Sequence, residues 1–210
     1  MIVAAVYLRY SIPMYKASTI ILVKDERKGG LQSELSAFED LGLMKGVKSN
    51  VDNELEVIKS YTIMQNAVKR LNLNMSYFTE GRLKTIELYN DKPIVCNVFD
   101  MDGLFYEKSK TYNFKSVSDT KFELSTSDDK VLGTYSYGNV ITLQNCKMIV
   151  QKSLQNIKDD YQVTIHFNKL GDVADKYKNK LMIAAMGKNT SVVELTMVDP
   201  VKEKAEDLLN

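Results

Sequence analysis

One histidine, two cysteines, three prolines and no tryptophan stand in 210 residues. A single histidine cannot supply a multi-histidine metal centre. Two cysteines exclude both a disulfide framework and a four-cysteine zinc site. Excess charge of either sign is missing too: 28 Lys and Arg oppose 27 Asp and Glu, for a formal net charge of +1. That balance lacks the basic excess with which proteins grip phosphate backbones, so no nucleic-acid partner is expected. The sequence shows no internal repeat and no low-complexity tract. What remains is an ordinary globular composition, 44% hydrophobic and 26% charged, with enough apolar material for a core. At about 100–200 residues per domain, the length fits one domain, or one domain carrying an insertion.

The two ends are informative. The apolar run MIVAAVYL (1–8) is far short of the roughly 20 residues a helix needs to cross a bilayer. It has no basic n-region and no small-residue cleavage site, so it does not read as a signal peptide. It reads either as a first strand or buried helical turn, or as the stub of a membrane helix with Arg9 and Tyr10 at its interface. At the other end, Asp199 and Pro200 are expected as the N-cap and first position of a helix. Val201, Ala205, Leu208 and Leu209 share one face of it, and Asn210 falls in mid-pattern without a stop signal, which suggests a longer parent.

Between the ends, residues 17–24 are dense in β-branched and aliphatic side chains and predict a strand buried on both faces. A solvated turn is expected at 24–30, a short helix at 33–41, and a glycine- and lysine-bearing segment at 42–50. Val57, Tyr61, Met64, Val68 and Leu71 form one stripe, predicting a single helix over 51–72 with Asn50 as N-cap. Glu54 and Glu56 near its start and Lys69 and Arg70 near its end suit the helix dipole. From Pro93 onward the period becomes two. Strands are predicted at 94–99, 112–117, 121–126, 139–143, 146–151 and 161–167, with turn chemistry at 102–103, 127–129 and 137–139. Helical spacing returns at Leu170, Val173, Ala174, Tyr177 and Leu181, and a last strand is expected at 191–198. The fold class that follows is α+β: a mixed α/β base from residues 1–92 and 168–210, with an antiparallel β-rich block at 93–167 inserted into it.

Few residues point to chemistry. VFDMDGL (98–104) resembles the first motif of haloacid-dehalogenase-type phosphatases. On that reading Asp100 is the nucleophile, Asp102 the general acid/base, and Asp172 and Asp175 magnesium ligands. About a hundred residues precede the motif, however, and no alternation of strands and helices follows it. A hairpin turn at Asp102-Gly103 is the plainer reading. The same aspartates fail as a calcium loop, because Thr111 stands where a glutamate is required. Gly187-Lys188-Asn189-Thr190 is no phosphate loop, since Met182 occupies the place of the upstream glycine. No cofactor is expected. His166 has no partner histidine. Cys96 and Cys146 are two buried thiols or one disulfide. A carbohydrate-binding module is a further alternative, with exposed Tyr106, Tyr112 or Tyr135 stacking on sugars.

Four segments, taken in order, resemble one family. LRYSIPMYKASTIILVKD (8–25) is similar to the exit from the first membrane helix of Wzz-type polysaccharide co-polymerases, where a proline, a tyrosine and an Ala-Ser pair lead into the first periplasmic strand. Here these are Pro13, Tyr15, Ala17 and Ser18. NELEVIKS (53–60) resembles the hallmark of the family's first long helix, with Asn53, Glu54, Glu56, Lys59 and Ser60. LNLNMSYFTEGR (71–82), containing Gly81 and Arg82, and IELY (86–89) resemble the Wzc-like branch, which often carries a cytoplasmic tyrosine kinase. TSVVELTMVDPVKEKAEDLLN (190–210), with Asp199, Pro200 and Asn210, resembles the strand and helix that lead toward the coiled-coil arm and second membrane helix. The resemblance implies a periplasmic domain of a bacterial inner-membrane protein. Such proteins form homo-oligomeric rings, work with polysaccharide polymerase or export machinery, and govern surface polysaccharide length. It implies no catalytic residue here, and the chain has no Walker motif. Glu54, Glu56, Lys59 and Arg70 are the candidate oligomer contact, on the polar face of the predicted helix. Without anchors and arm, the chain by itself is expected to be a monomer or weak oligomer.

Overall fold

The computed structural model describes residues 11–23, 50–81, 84–153, 160–187 and 192–210, with the side chains of 50–53 excepted. The expected turn at 24–30, the helix at 33–41, the segment 42–49, Arg9, Tyr10, Arg82 and residues 188–190 lie outside them. The elements in chain order are β1 (Tyr15–Leu22), α1 (Asn50–Ile58), α2 (Tyr61–Arg70), β2 (Met75–Glu80), β3 (Thr85–Leu88), β4 (Ile94–Phe99), β5 (Lys110–Ser118), β6 (Lys121–Thr126), β7 (Val131–Ser136), β8 (Val140–Thr142), β9 (Lys147–Lys152), β10 (Gln162–Phe167), α3 (Leu170–Lys180), β11 (Met182–Ala185), β12 (Val192–Asp199) and α4 (Lys202–Leu209).

The fold is α+β, with antiparallel sheets and few helices. A three-stranded sheet in the order β1-β12-β11 joins strands from the two chain ends. Every residue of β1 is paired with β12, from Tyr15 opposite Asp199 to Leu22 opposite Val192. A six-stranded sheet runs β3-β2-β10-β5-β6-β7, and a third sheet runs β4-β9-β8. The alternating pattern of β5, β6 and β10 gives each an inward apolar face. Phe114, Phe122, Leu124, Val163 and Ile165 meet Ile94, Ile141, Met148 and Val150 from the third sheet in one core. Each such side chain contributes about 1.5–3 kcal/mol when fully buried. β2 and β3, which lie within the stretch expected to be base, belong to this six-stranded sheet, so the β-rich part starts at Met75. Tyr77 of β2 crosses to the third sheet, where its hydroxyl accepts the Cys96 N–H at 3.1 Å. A second core lies among α2, α3, α4 and β12, around Met64, Val68, Ala174, Tyr177, Met197 and Ala205.

One expectation about a helix and one about a strand are corrected. The predicted helix 51–72 is two helices, α1 and α2, broken at Lys59 and Ser60. Ser60 leaves helical geometry (φ −62°, ψ 145°) and its side chain accepts the Ile63 N–H, so it caps α2 instead of continuing α1. α2 ends in a Schellman motif. Asn72 takes the left-handed region at φ 52°, Leu73 N–H donates to Val68 O and Asn72 N–H to Lys69 O. β1 is not buried on both faces. It is an edge strand in which exposed and half-buried residues alternate, with Ile20 60% and Leu22 74% exposed.

Candidate functional site

The motif-bearing residues of the chain ends meet in the base sheet. Pro13 is exposed just before β1, Tyr15 opens the strand, Ala17 packs against the second core, and Ser18 lies opposite Thr196. Asp199 ends β12 and is 1% exposed. It is not the N-cap of α4, which is Val201. The Asp199 carboxylate instead accepts Val201 N–H at 3.0 Å on one oxygen and Lys180 Nζ at 2.9 Å on the other. Pro200 follows in the bend, and the helix starts two residues later. The charge that Asp199 would have lent the helix start is thus used to hold α3 against the turn. Asn210 closes α4, its N–H donating to Glu206 O at 3.2 Å.

α4 also reaches the six-stranded sheet. Lys204 on α4 forms a buried ion pair with Glu87 of β3. Tyr89 donates its hydroxyl to Asp207 Oδ2 at 2.7 Å, and the Lys204 ammonium lies 5.5 Å from the centre of the Tyr89 ring. Burial and the carboxylate of Asp207 push the Tyr89 hydroxyl well above its usual pKa. Lys92 sits over the rings of both Tyr77 and Tyr89. Its pKa is lowered by burial first and by the charge of Lys204 second. These groups form a tie between the base and the β-rich part.

The candidate oligomer residues are divided by the helix break. Glu54 and Glu56 are exposed on α1, Lys59 is half-buried at the break, and Arg70 is exposed at the end of α2. None of the four makes an ion pair among the described residues. Asn53 lies within α1. Gly81 follows β2 directly, where a Cβ would stand 2.6 Å from the Lys84 carbonyl oxygen, so only glycine fits there undistorted.

The aspartates are not gathered into one centre. Asp100 follows β4 at φ 50° and pairs with Lys147 at 2.6 Å on the surface. Asp102 and Gly103 do not close a hairpin, because β4 pairs with β9; they lie in the crossing from β4 to β5. Asn145 donates from Nδ2 to Asp102 Oδ2 at 2.7 Å, and Leu104 N–H donates to its other oxygen. That hydrogen bond from Asn145 is the main reason the Asp102 carboxyl is held below its ordinary pKa. Asp172 and Asp175 are exposed on α3. No group of three or more His, Cys, Asp or Glu able to hold a metal occurs among the described residues.

None of the three tyrosines expected to be exposed is fully so. Tyr112 is buried in the first core, Tyr106 is half-buried between the two cores, and Tyr135 packs on Phe122. Cys96 and Cys146 are both free and buried, and burial pushes the Cys96 thiol up to about 12. His166 Nδ1 is 2.9 Å from Thr111 Oγ1, and its ring meets Phe78 edge-on.

No family model matches the chain, and no curated protein matches it. Among solved structures, two crystal forms of FlgL from Xanthomonas campestris are similar over 56% of this chain. Their identities are 14% and 13%, and their TM-scores 0.26 and 0.23. The match spans 37% and 39% of those chains. Likeness at this level carries no argument about fold or function. No helix among the described residues is long and apolar enough to cross a membrane.

Sequence reasoning missed the tie between α4 and β3. Glu87 and Lys204 are 117 positions apart, and β3 is only four residues long. The one available signal was the position of Lys204 beside Ala205 and Leu208 on the apolar side of α4. A lysine there must either reach out to solvent or find a carboxylate.

Proposed function

We propose that this chain is the periplasmic part of a Wzz-type polysaccharide co-polymerase, in the branch associated with tyrosine kinases. On this reading it is a non-catalytic scaffold. It is anchored in the bacterial inner membrane through flanking segments and assembles with copies of itself. With polymerase or export machinery it sets the length or export of a capsular polysaccharide, an exopolysaccharide or an O-antigen. The observation that supports this most is the β1–β12 ladder. The first and last of the four family-like segments come from opposite ends of the chain, yet pair along eight residues in one base sheet, with α4 packed on both strands. A domain held between two membrane anchors needs such a closed base, because tension on either end is then borne by the ladder and not by the inserted sheets.

The exposed charges of α1 and α2 are assigned to contacts with neighbouring copies. Each such pair contributes about 0–1 kcal/mol, so a ring needs many of them or a further contact. The test is deletion of the gene in its own host, with electrophoresis of the surface polysaccharide. Loss of polymer or a shifted modal length, restored by the intact gene, is the expected result. An unchanged amount and length distribution would refute the scaffold reading.

A further inference from the structure

We propose that the base sheet continues from one copy of this chain to the next, the β1 edge of one copy pairing in parallel with the β11 edge of its neighbour. Both outer strands of the β1-β12-β11 sheet hydrogen-bond on one side only among the described residues. An open strand edge presents a row of N–H and C=O groups whose natural partner is another extended chain. Proteins that keep such edges free guard them with charges, prolines or bulges. Here the guards are few. β1 reads YKASTIIL and β11 reads MIAA, with Lys16 as the single charge and no proline. The β1–β12 register runs through all eight pairs without a bulge.

The side chains point the same way. Ala17 and Met197 face the second core, so the alternate residues of the sheet face away from the helices. On that outward face Ile20 is level with Glu194 and Ala184, and Ser18 is level with Thr196 and Met182. Leu22 is level with Val192, whose carbonyl oxygen accepts the Met186 N–H. Setting the next copy beside β11 without stagger places its Ile20 next to Ala184 and its Leu22 next to Met186. Leu22, Ile20, Met186 and Met182 are 74%, 60%, 58% and 53% exposed in the single chain, and this junction sets each beside a side chain of the neighbouring copy.

Strand direction selects the occupant. β1 and β11 both run antiparallel to β12 and are therefore parallel to each other. A β11-to-β1 junction keeps every copy in the same orientation, and such head-to-tail contacts close into a ring by rotation. An antiparallel pairing of two β1 edges would turn one copy over. This selection rests on the scaffold reading, in which β1 leaves the membrane in the same direction in every copy.

The test is oxidative cross-linking in membranes of cells expressing the whole reading frame with Leu22→Cys and Met186→Cys. Both positions are exposed, and the native Cys96 and Cys146 are buried. The double variant is expected to give a ladder of dimers, trimers and higher species, each single variant only monomer. Adding Ile20→Lys, an edge guard at an exposed site, removes the ladder. Absence of a ladder from the double variant overturns the proposal, and so does dimer formation by Leu22→Cys alone, which reports paired β1 edges. Missing cross-links in a strain whose polysaccharide length still depends on the gene refute the edge pairing alone. An unchanged polysaccharide after deletion refutes the scaffold reading whatever the cross-links show.

Discussion

Glu87→Gln is expected to destabilise the fold far more than Lys204→Met, although both break the same ion pair. The side chains are 6% exposed for Lys204 and 19% for Glu87. Removing one partner of a buried pair leaves the other charge without compensation, which costs about 3–5 kcal/mol. Glu87→Gln puts that cost on the more deeply buried group. It also removes the carboxylate that favours the charged forms of Lys92 and Lys176, both of which Lys204 disfavours. We expect about 3–4 kcal/mol for this change. Lys204→Met keeps the apolar stem in place, relieves the repulsion on Lys92 and Lys176, and leaves Glu87 partly in water among those cations. We expect about 1–2 kcal/mol for it. The double variant Glu87→Leu with Lys204→Met removes both charges at once and should fall within about 1 kcal/mol of the parent. Equilibrium urea unfolding measures all three, provided the m-value stays unchanged. The reasoning is refuted if Lys204→Met is as damaging as Glu87→Gln, or if the double variant loses the sum of the single losses.

The alkaline limb of stability should carry the signature of Cys96. Its thiol is raised from 9.0 to about 12 in the fold, so the unfolded chain loses the proton first. The contribution is complete below pH 9 and declines as pH rises toward the folded value, by up to about 1.4 kcal/mol per pH unit. Urea midpoints recorded from about pH 8 to 10 should therefore fall less steeply for Cys96→Ala than for the parent. Gly81→Ala should cost about 1–3 kcal/mol, because the new Cβ meets the Lys84 backbone oxygen; hydrogen exchange should quicken in β2 and β3 before β5 and β6. Ser60→Ala should cost about 1 kcal/mol by removing the cap of α2, while Ser60→Asp should retain most of the stability; thermal unfolding separates the two.

The fold class and most β-strands were legible because alternation is a local signal. β4 and β6 fall at the predicted residues, and β5, β8, β9, β10 and β12 differ from prediction only at their ends. β2, β3, β7 and β11 were missed for separate reasons. β2 carries a family-like motif in place of a clear period, β3 and β11 have four residues each, and Gly133, at φ 154°, breaks the apolar pattern of β7. The helix break was hidden because Val57 and Tyr61 continue the stripe of Met64 and Val68 across it. The serine at its centre was the visible sign, since a serine side chain competes for backbone N–H groups. Asp199-Pro200 misled for a tertiary reason: Lys180, brought by α3, claims one carboxylate oxygen. The oligomer residues Glu54, Glu56 and Arg70 could be placed on helices from sequence, but not on two helices whose relation depends on one hydroxyl, and Lys59 falls in the break between them.

The tie at Glu87 and the ladder at β1 assign different loads to the two ends of the molecule. The β-rich part joins the base through two short passages. One is Leu71 to Asn74 after α2, and the other is Asn168 and Lys169 before α3. Asn168 N–H donates to Asn74 O at 2.8 Å, so these passages are bonded to each other. Tyr106 packs against both cores at this junction, and its carbonyl oxygen accepts the Leu170 N–H. Two adjacent passages make a hinge line, about which the six-stranded sheet would rock if nothing held it off-axis. Glu87 with Lys204, and Tyr89 with Asp207, supply that off-axis contact through α4. The chain is therefore braced by three supports: the hinge passages, the Tyr106 junction and the α4 tie. The base sheet is not itself one of the three supports, and among the described residues the outer edges of β1 and β11 pair with nothing. It can gain a neighbour without repacking either core, so assembly through those edges would leave the bracing of the inserted sheets intact.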